Sequence, residues 1–297
     1  MLNISVDPAK VPALPMEKSI GYWQNVGRRL CRDRLAMFAA FVILILLVMA
    51  VFGQSITPYD PYAASIMKRL KPIGFAGHLL GTDELGRDML SRLIVGTRLS
   101  LFMGITPVVL AFGIGSVIGI IAGYAGGMTN TLIMRTIDVF YAFPSVLLAI
   151  ALSGVLGAGI TNSLISLTIV FIPPIARVAE SVTTQIRERD FVEAARASGA
   201  NAFTIVRVHV LGNVLGPIFV YSTSLIAVSM ILASGLSFLG LGVKPPEPEW
   251  GLMLNTLRTA IYVQPWIAAL PGVMIFVTSI AFNLLSDGLR TAMEIKN

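Results

Sequence analysis

The spacing of charge constrains this chain more than any other feature. Leu35–Gly53, Leu99–Met134, Val139–Ala176, Val208–Val243 and Thr259–Ser286 contain no Asp, Glu, Lys or Arg, and the charges crowd into the segments between them. An α-helix rises 1.5 Å per residue, so about 20 apolar residues cross a ~30 Å hydrocarbon layer. Only 13% of the 297 residues are charged and 55% are hydrophobic, where a soluble domain carries about 25% charged residues. Such a chain cannot dress a soluble surface. In lipid the backbone must satisfy its own hydrogen bonds, which long helices do. The expected fold class is an all-α polytopic membrane protein with about six transmembrane helices.

The blocks divide into spans where turn residues fall. Leu35–Gly53 is one span, and it follows Arg28, Arg29, Arg32 and Arg34. Its 19 residues exceed the ~7–15 of a signal-peptide core, so it reads as an uncleaved first helix. The second helix is expected to end near Ala122, with a turn through Gly123–Asn130. Gly157-Ala158-Gly159, followed by Thr161-Asn162-Ser163, splits the third block into two helices. The last two spans are expected at Val214–Leu236 and Trp266–Leu285. The resulting organisation is residues 1–34 as an N-terminal segment, 35–56 as the first span, 57–98 as an outer segment, 99–290 as a five-helix core, and 291–297 as a tail.

Lys and Arg set the orientation. With the N-terminus in the cytoplasm, inner segments hold six before residue 35, Arg135, five between Arg177 and Arg207, and two at the C-terminus, 14 against 8 outside. Both termini and residues 181–212 are therefore expected in the cytoplasm. The net charge of +6 follows from this topology and not from a nucleic-acid partner. A single cysteine, Cys31, excludes an intrachain disulfide, and His78 and His209 stand far apart, as structural histidines do more often than metal ligands.

Gly115, Gly119 and Gly123 recur every four residues on the second span, with Gly113 nearby; this stripe is expected to let a neighbouring helix approach closely. Asp88–Arg98 reads as a short amphipathic helix in the outer segment, with Asp88 and Arg92 spaced for an i,i+4 surface pair. Pro107, Pro144, Pro173, Pro174 and Pro271 fall in or beside spans, which neighbouring helices tolerate in membranes.

The chain lacks a Gly-x-x-x-x-Gly-Lys-Ser/Thr phosphate loop, a nucleophile–histidine arrangement and a metal-binding cluster. No catalytic, cofactor or metal residue is expected. Span interiors hold almost no ionisable residues, with Asp138 and Arg177 near expected cytoplasmic ends. Self-powered carriers and pumps use charge at membrane depth, so a channel or secondary carrier is the weaker alternative, and a scaffold without a transport role the third.

The segment Arg187–Asn213 is the most charged connection between two spans. Asp190 and Glu193 have capping-box spacing, Gly199 suits a left-handed helix end, and Asn201 can cap a second helix. Ala194, Ala195 and Ala197 give the first helix low relief.

Four stretches together resemble a known family. Glu193-Ala194-Ala195 with Gly199, Ile205 and His209-Val210-Leu211 resembles the EAA loop of permease subunits in binding-protein-dependent ABC importers. His78–Arg92, Leu236–Val243 through Trp250-Gly251, and Phe282–Arg290 resemble the peptide/nickel group, on the dipeptide and oligopeptide "C" subunit side. The resemblance implies a type I ABC importer permease fold in a bacterial inner membrane. It implies a second homologous permease, two ATPases and an extracytoplasmic binding protein as partners. The solute would be a di- or oligopeptide, with nickel complexes, glutathione or opine-like compounds as alternatives. Asp190, Glu193, Ala194, Ala195, Ala197, Gly199 and Ile205 would form the ATPase-coupling loop. The sequence departs from the family at Gly212, where a proline is usual, at Ala233, and at Asn130 and Ser286, both expected at turns.

Overall fold

The computed structural model describes residues 22–293. The first 21 residues of the expected N-terminal segment and the last four of the tail lie outside these. The chain opens with α1 (Tyr22–Arg32) and α2 (Arg34–Ile56). Between them Asp33 caps α2, its carboxylate accepting from the N–H groups of Leu35 at 2.9 Å and Ala36 at 3.2 Å. Much of α2 presents Phe38, Phe41, Leu44 and Val51 outward, as a lipid-facing helix must.

The next helix, α3 (Met89–Ala125), has 37 residues, about 55 Å. Its first turns take up the stretch expected to form a separate surface helix, and the expected Asp88–Arg92 pair does not form. Asp88 is instead the N-cap of α3, accepting from the Ser91 N–H at 2.8 Å and hydroxyl at 2.7 Å. Its other oxygen lies 2.9 Å from His78 Nδ1, and Arg92 pairs with Asp83 at 3.2 Å. His78, Asp83, Asp88 and Arg92 are all buried, so the end of the outer segment is folded against the start of α3. The i,i+4 spacing allows a pair, but partners nine and ten residues earlier in the same segment take both charges.

Gly126, with φ +66°, turns the chain into α4 (Gly127–Tyr141), so the expected turn through Asn130 is shorter than the sequence suggested. After a break at Ala142-Phe143-Pro144 follows α5 (Ser145–Leu156), bent 86° from α4. Proline disfavours helical backbone at the residue before it, which places the break. Then come α6 (Ile160–Arg187), α7 (Asp190–Ala197), α8 (Ala202–Ile205), α9 (Leu211–Phe238), α10 (Trp250–Thr256) and α11 (Pro265–Met293). The Gly157–Gly159 turn between α5 and α6 is where the sequence placed it, closed by Asn162 Nδ2 donating to the Leu156 carbonyl at 2.7 Å. Among the described residues five helices are long and apolar enough to cross a membrane, and the bent α4–α5 pair makes six if it is one broken span.

The bundle is organised on α3, which packs most extensively against α6. The glycine stripe is the seam. A Cβ on Gly119 would lie 2.3 Å from the Ala176 carbonyl oxygen, and one on Gly123 2.6 Å from that of Glu180. One buried cluster joins α3, α6 and α9 through Val108, Leu167, Ile175 and Ile218, and a second joins α2, α3, α10 and α11 through Leu46, Met89, Trp250 and Ile267.

Candidate functional site

Between α6 and α9 the chain leaves the bundle as α7 and α8. The eight residues of α7 span about 12 Å. Val192, Ile205 and Val210 are fully or almost fully buried and root the loop in the α3–α6–α9 cluster. Gly199 has φ +82°, a conformation that disfavours any side chain with a Cβ, and it ends α7 as expected. Asn201 caps α8, its Oδ1 accepting from the Thr204 N–H at 2.8 Å.

The expected capping box is absent. The N-cap of α7 is Arg189, without a side-chain cap bond, and Asp190 is already the first helical residue. The helix begins one position early because the Arg189 carbonyl accepts from the Val192 and Glu193 N–H groups. Glu193 is thus exposed and has no capping role.

The seven candidate residues separate by environment. Asp190, Glu193, Ala194, Ala197 and Gly199 are exposed, Ala195 is half-buried against the core, and Ile205 is buried. Ile205 therefore anchors the loop and offers no outer surface. Sequence reasoning missed the aromatic contribution: Phe203 is 74% exposed and Phe191 43%. Aromatic residues within the most charged inter-span segment were the available signal.

The departures from the family pattern have structural accounts. Gly212 does not bend the chain. A π-helical turn at Val206–Val210 runs directly into α9, so Ala202–Phe238 is one helical stretch. Asn130 and Ser286 lie inside helices and not at turns. Asn130 Nδ2 donates to Glu180 Oε1 at 2.6 Å, and the buried Ser286 hydroxyl donates to the Val220 carbonyl at 3.2 Å. Ala233 is core.

Comparison with known proteins agrees with this architecture. Residues 115–296 match the model of the binding-protein-dependent transport system inner membrane component, and residues 21–72 that of the N-terminal transmembrane domain of oligopeptide transport permease C. The glutathione transport system permease protein GsiD of Pectobacterium atrosepticum is 41% identical over 92% of this chain and 91% of its own length. GsiD of Escherichia coli is 43% identical over 92% and 90%. The MetNI methionine ABC transporter, in an inward-facing conformation, matches 69% of this chain and 97% of that chain with a TM-score of 0.57 at 18% identity, a likeness of fold.

Five to six apolar spans among the described residues, together with the family match, define a multi-pass inner-membrane permease, the non-catalytic membrane component of an ABC importer. The chain belongs to the peptide/nickel family of these permeases.

Proposed function

We propose that this chain forms half of the translocation pathway for a peptide-class solute and receives the power stroke through α7. Glutathione is the first candidate solute, because relatives that align over 92% of the chain are glutathione permeases; di- and oligopeptides follow from the permease C match. A second homologous permease completes the pathway. Two ATPases dock on the cytoplasmic side, and an extracytoplasmic binding protein delivers solute to the face formed by residues 57–98. Nucleotide closes the ATPases, α7 moves with them, and the helices rooted to it alternate access between the two sides.

One observation carries the coupling role. Ala194 and Ala197 form a low, exposed surface on α7 beside the uncommitted charge of Glu193, and Phe191 and Phe203 stand exposed at its edges. A small-residue ridge rimmed by aromatics and one charge suits a partner's groove. The test is Gly199→Val in the reconstituted complex. A β-branched residue is strongly disfavoured at that φ, yet no neighbouring atom lies within 4 Å of a Cβ there, so the spans stay undisturbed. The variant should insert, pair with the second permease, and lose solute-stimulated ATPase activity. Wild-type coupling in this variant would make the segment a solvated connector.

A further inference from the structure

Arg177 and Asp138 form an ion pair whose side chains remain 47% and 40% exposed. The Arg177 guanidinium also lies 4.9 Å from the centre of the Tyr141 ring. The charge-free block ends at Ala176, which places Asp138 and Arg177 each near an expected cytoplasmic span end. In the structure α6 continues to Arg187, so Arg177 is ten residues, about 15 Å, inside the helix. Exposed charge on a spanning helix is tolerated where it faces water or protein and is disfavoured against acyl chains.

Two hollows lie beside the pair, largely apolar in lining but carrying tyrosine hydroxyls and a few polar side chains. A cavity of about 280 Å³ is lined by Tyr141, Pro174 and Tyr221 among others. A second, of about 530 Å³, is lined by Val178, Tyr221, Ser224, Asp287 and Arg290 among others. Tyr221 belongs to both, and Pro174, Arg177 and Val178 share one face of α6. Arg177 thus stands next to lining residues of both hollows, Tyr141 and Pro174 of one and Val178 of the other.

The chemistry selects the occupant. One carboxylate and one guanidinium side by side match a molecule carrying both an ammonium and a carboxylate. Guanidinium binds carboxylate through paired, charge-assisted hydrogen bonds, and tyrosine faces attract an ammonium and cover an apolar stem. A bare divalent ion needs several convergent oxygen or nitrogen ligands, and no group of three acidic, histidine or cysteine side chains occurs among the described residues.

We propose that Arg177 and Asp138, flanked by Tyr141 and Tyr221, are the solute-contact site of this half of the pathway, and that they pass a zwitterionic peptide-class solute by opening their ion pair around it. Arg177 takes the solute carboxylate and Asp138 its ammonium, and the pair re-forms when the solute leaves. This rests on the pathway role proposed above and adds its solute chemistry and residues.

The test uses the complete transporter in liposomes, with its second permease, ATPases and binding protein. In a Cys31→Ser background, Arg177→Cys should react with a charged thiosulfonate reaching the cytoplasmic side of the nucleotide-free transporter. Reaction only with a lipid-soluble maleimide, or with neither reagent, places the pair against lipid or a protein contact and overturns the site. The uptake probes are glutathione and trialanine. Arg177→Gln and Asp138→Asn should each lower uptake about tenfold or more, the loss of one charge-assisted contact, with assembly and nucleotide-driven closure unchanged. The double exchange Asp138→Arg with Arg177→Asp restores a mere staple between α4 and α6. Uptake should stay low in that variant, and recovery to the wild-type rate would overturn the solute role. If the wild-type complex moves neither probe, the peptide-class reading itself fails and this assignment with it. Wild-type uptake with unaffected variants removes the site alone.

Discussion

The indole N–H of Trp250 donates a 3.1 Å hydrogen bond to the backbone carbonyl of Leu93, fastening the segment between α9 and α11 to the start of α3. Around this bond the backbones nearly touch. A Cβ on Gly96 would sit 1.8 Å from the Pro248 carbonyl oxygen, and one on Gly251 2.4 Å from that of Ser234. Trp250 is fully buried. Trp250→Phe should cost about 1–3 kcal/mol through the lost bond and the void left by the smaller ring, measured by denaturant unfolding in detergent. Gly96→Ala should be worse, because backbone on both sides blocks relief. Wild-type stability in both would mean that the segment is not clamped.

Glu249 caps α10, accepting from the N–H groups of Gly251 and Leu252 at 2.8 Å each. Burial nonetheless pushes its carboxyl above the ordinary 4.5, against the lowering effect of those bonds. As pH rises, the unfolded chain gives up this proton before the folded one. Stability is therefore greatest below the ordinary carboxylate value and falls as pH climbs through the raised value. Thermal unfolding followed from about pH 4.5 upward should show this decline, and Glu249→Gln, which cannot ionise, should flatten it. An unchanged pH slope in the variant would assign the decline to other groups.

The glycine stripe on α3 makes a paired prediction. Gly119→Ala drives a methyl group into the α6 backbone and should leave little folded protein. Gly113 lies on the same helix with nothing within 4 Å of a Cβ. Gly113→Ala should be neutral or stabilise by about 0.4–1 kcal/mol through the unfolded chain. Membrane yield and melting temperature of the two variants decide it, and equal behaviour would refute the seam.

On α7 the alanines are not equivalent. Ala194 is exposed and Ala195 is packed against the core. Ala194→Trp should leave the permease folded and lower its co-purification with the ATPases. Ala195→Trp should lower its melting temperature as well. Normal ATPase capture by Ala194→Trp would show that this face is not the contact.

The charge distribution predicts the topology directly. With Cys31 replaced, an impermeant thiol reagent applied to intact cells should label Ala76→Cys and leave Ser198→Cys unlabelled. Labelling at position 198 would reverse the orientation of α6 and α9.

The elements set by local composition were legible in the sequence. Charge-free blocks longer than a bilayer is thick impose spans in any tertiary context, and Gly157–Gly159, Gly199 and Asn201 act through their own backbone and nearest neighbours. The four-residue glycine repeat implied a close helix partner for the same reason, since its periodicity is that of one helix face. Helix ends were less legible. α3 starts ten residues before the charge-free block does and α6 runs eleven beyond its own, because charged residues extend a helix readily once they leave the hydrocarbon or find partners.

Pairing was decided by the tertiary structure alone. Asp88 and Arg92 were well spaced for each other, yet His78 and Asp83 hold them. Asp190 and Glu193 had capping-box spacing, yet α7 starts at Asp190 itself. Asp138 and Arg177 are separated by a broken span and a turn, and only the packing of α4 beside α6 makes them a pair. Sequence spacing determines which contacts are geometrically allowed within one helix. Which allowed contact forms depends on the competing partners that folding brings near, and their positions are a property of the whole bundle.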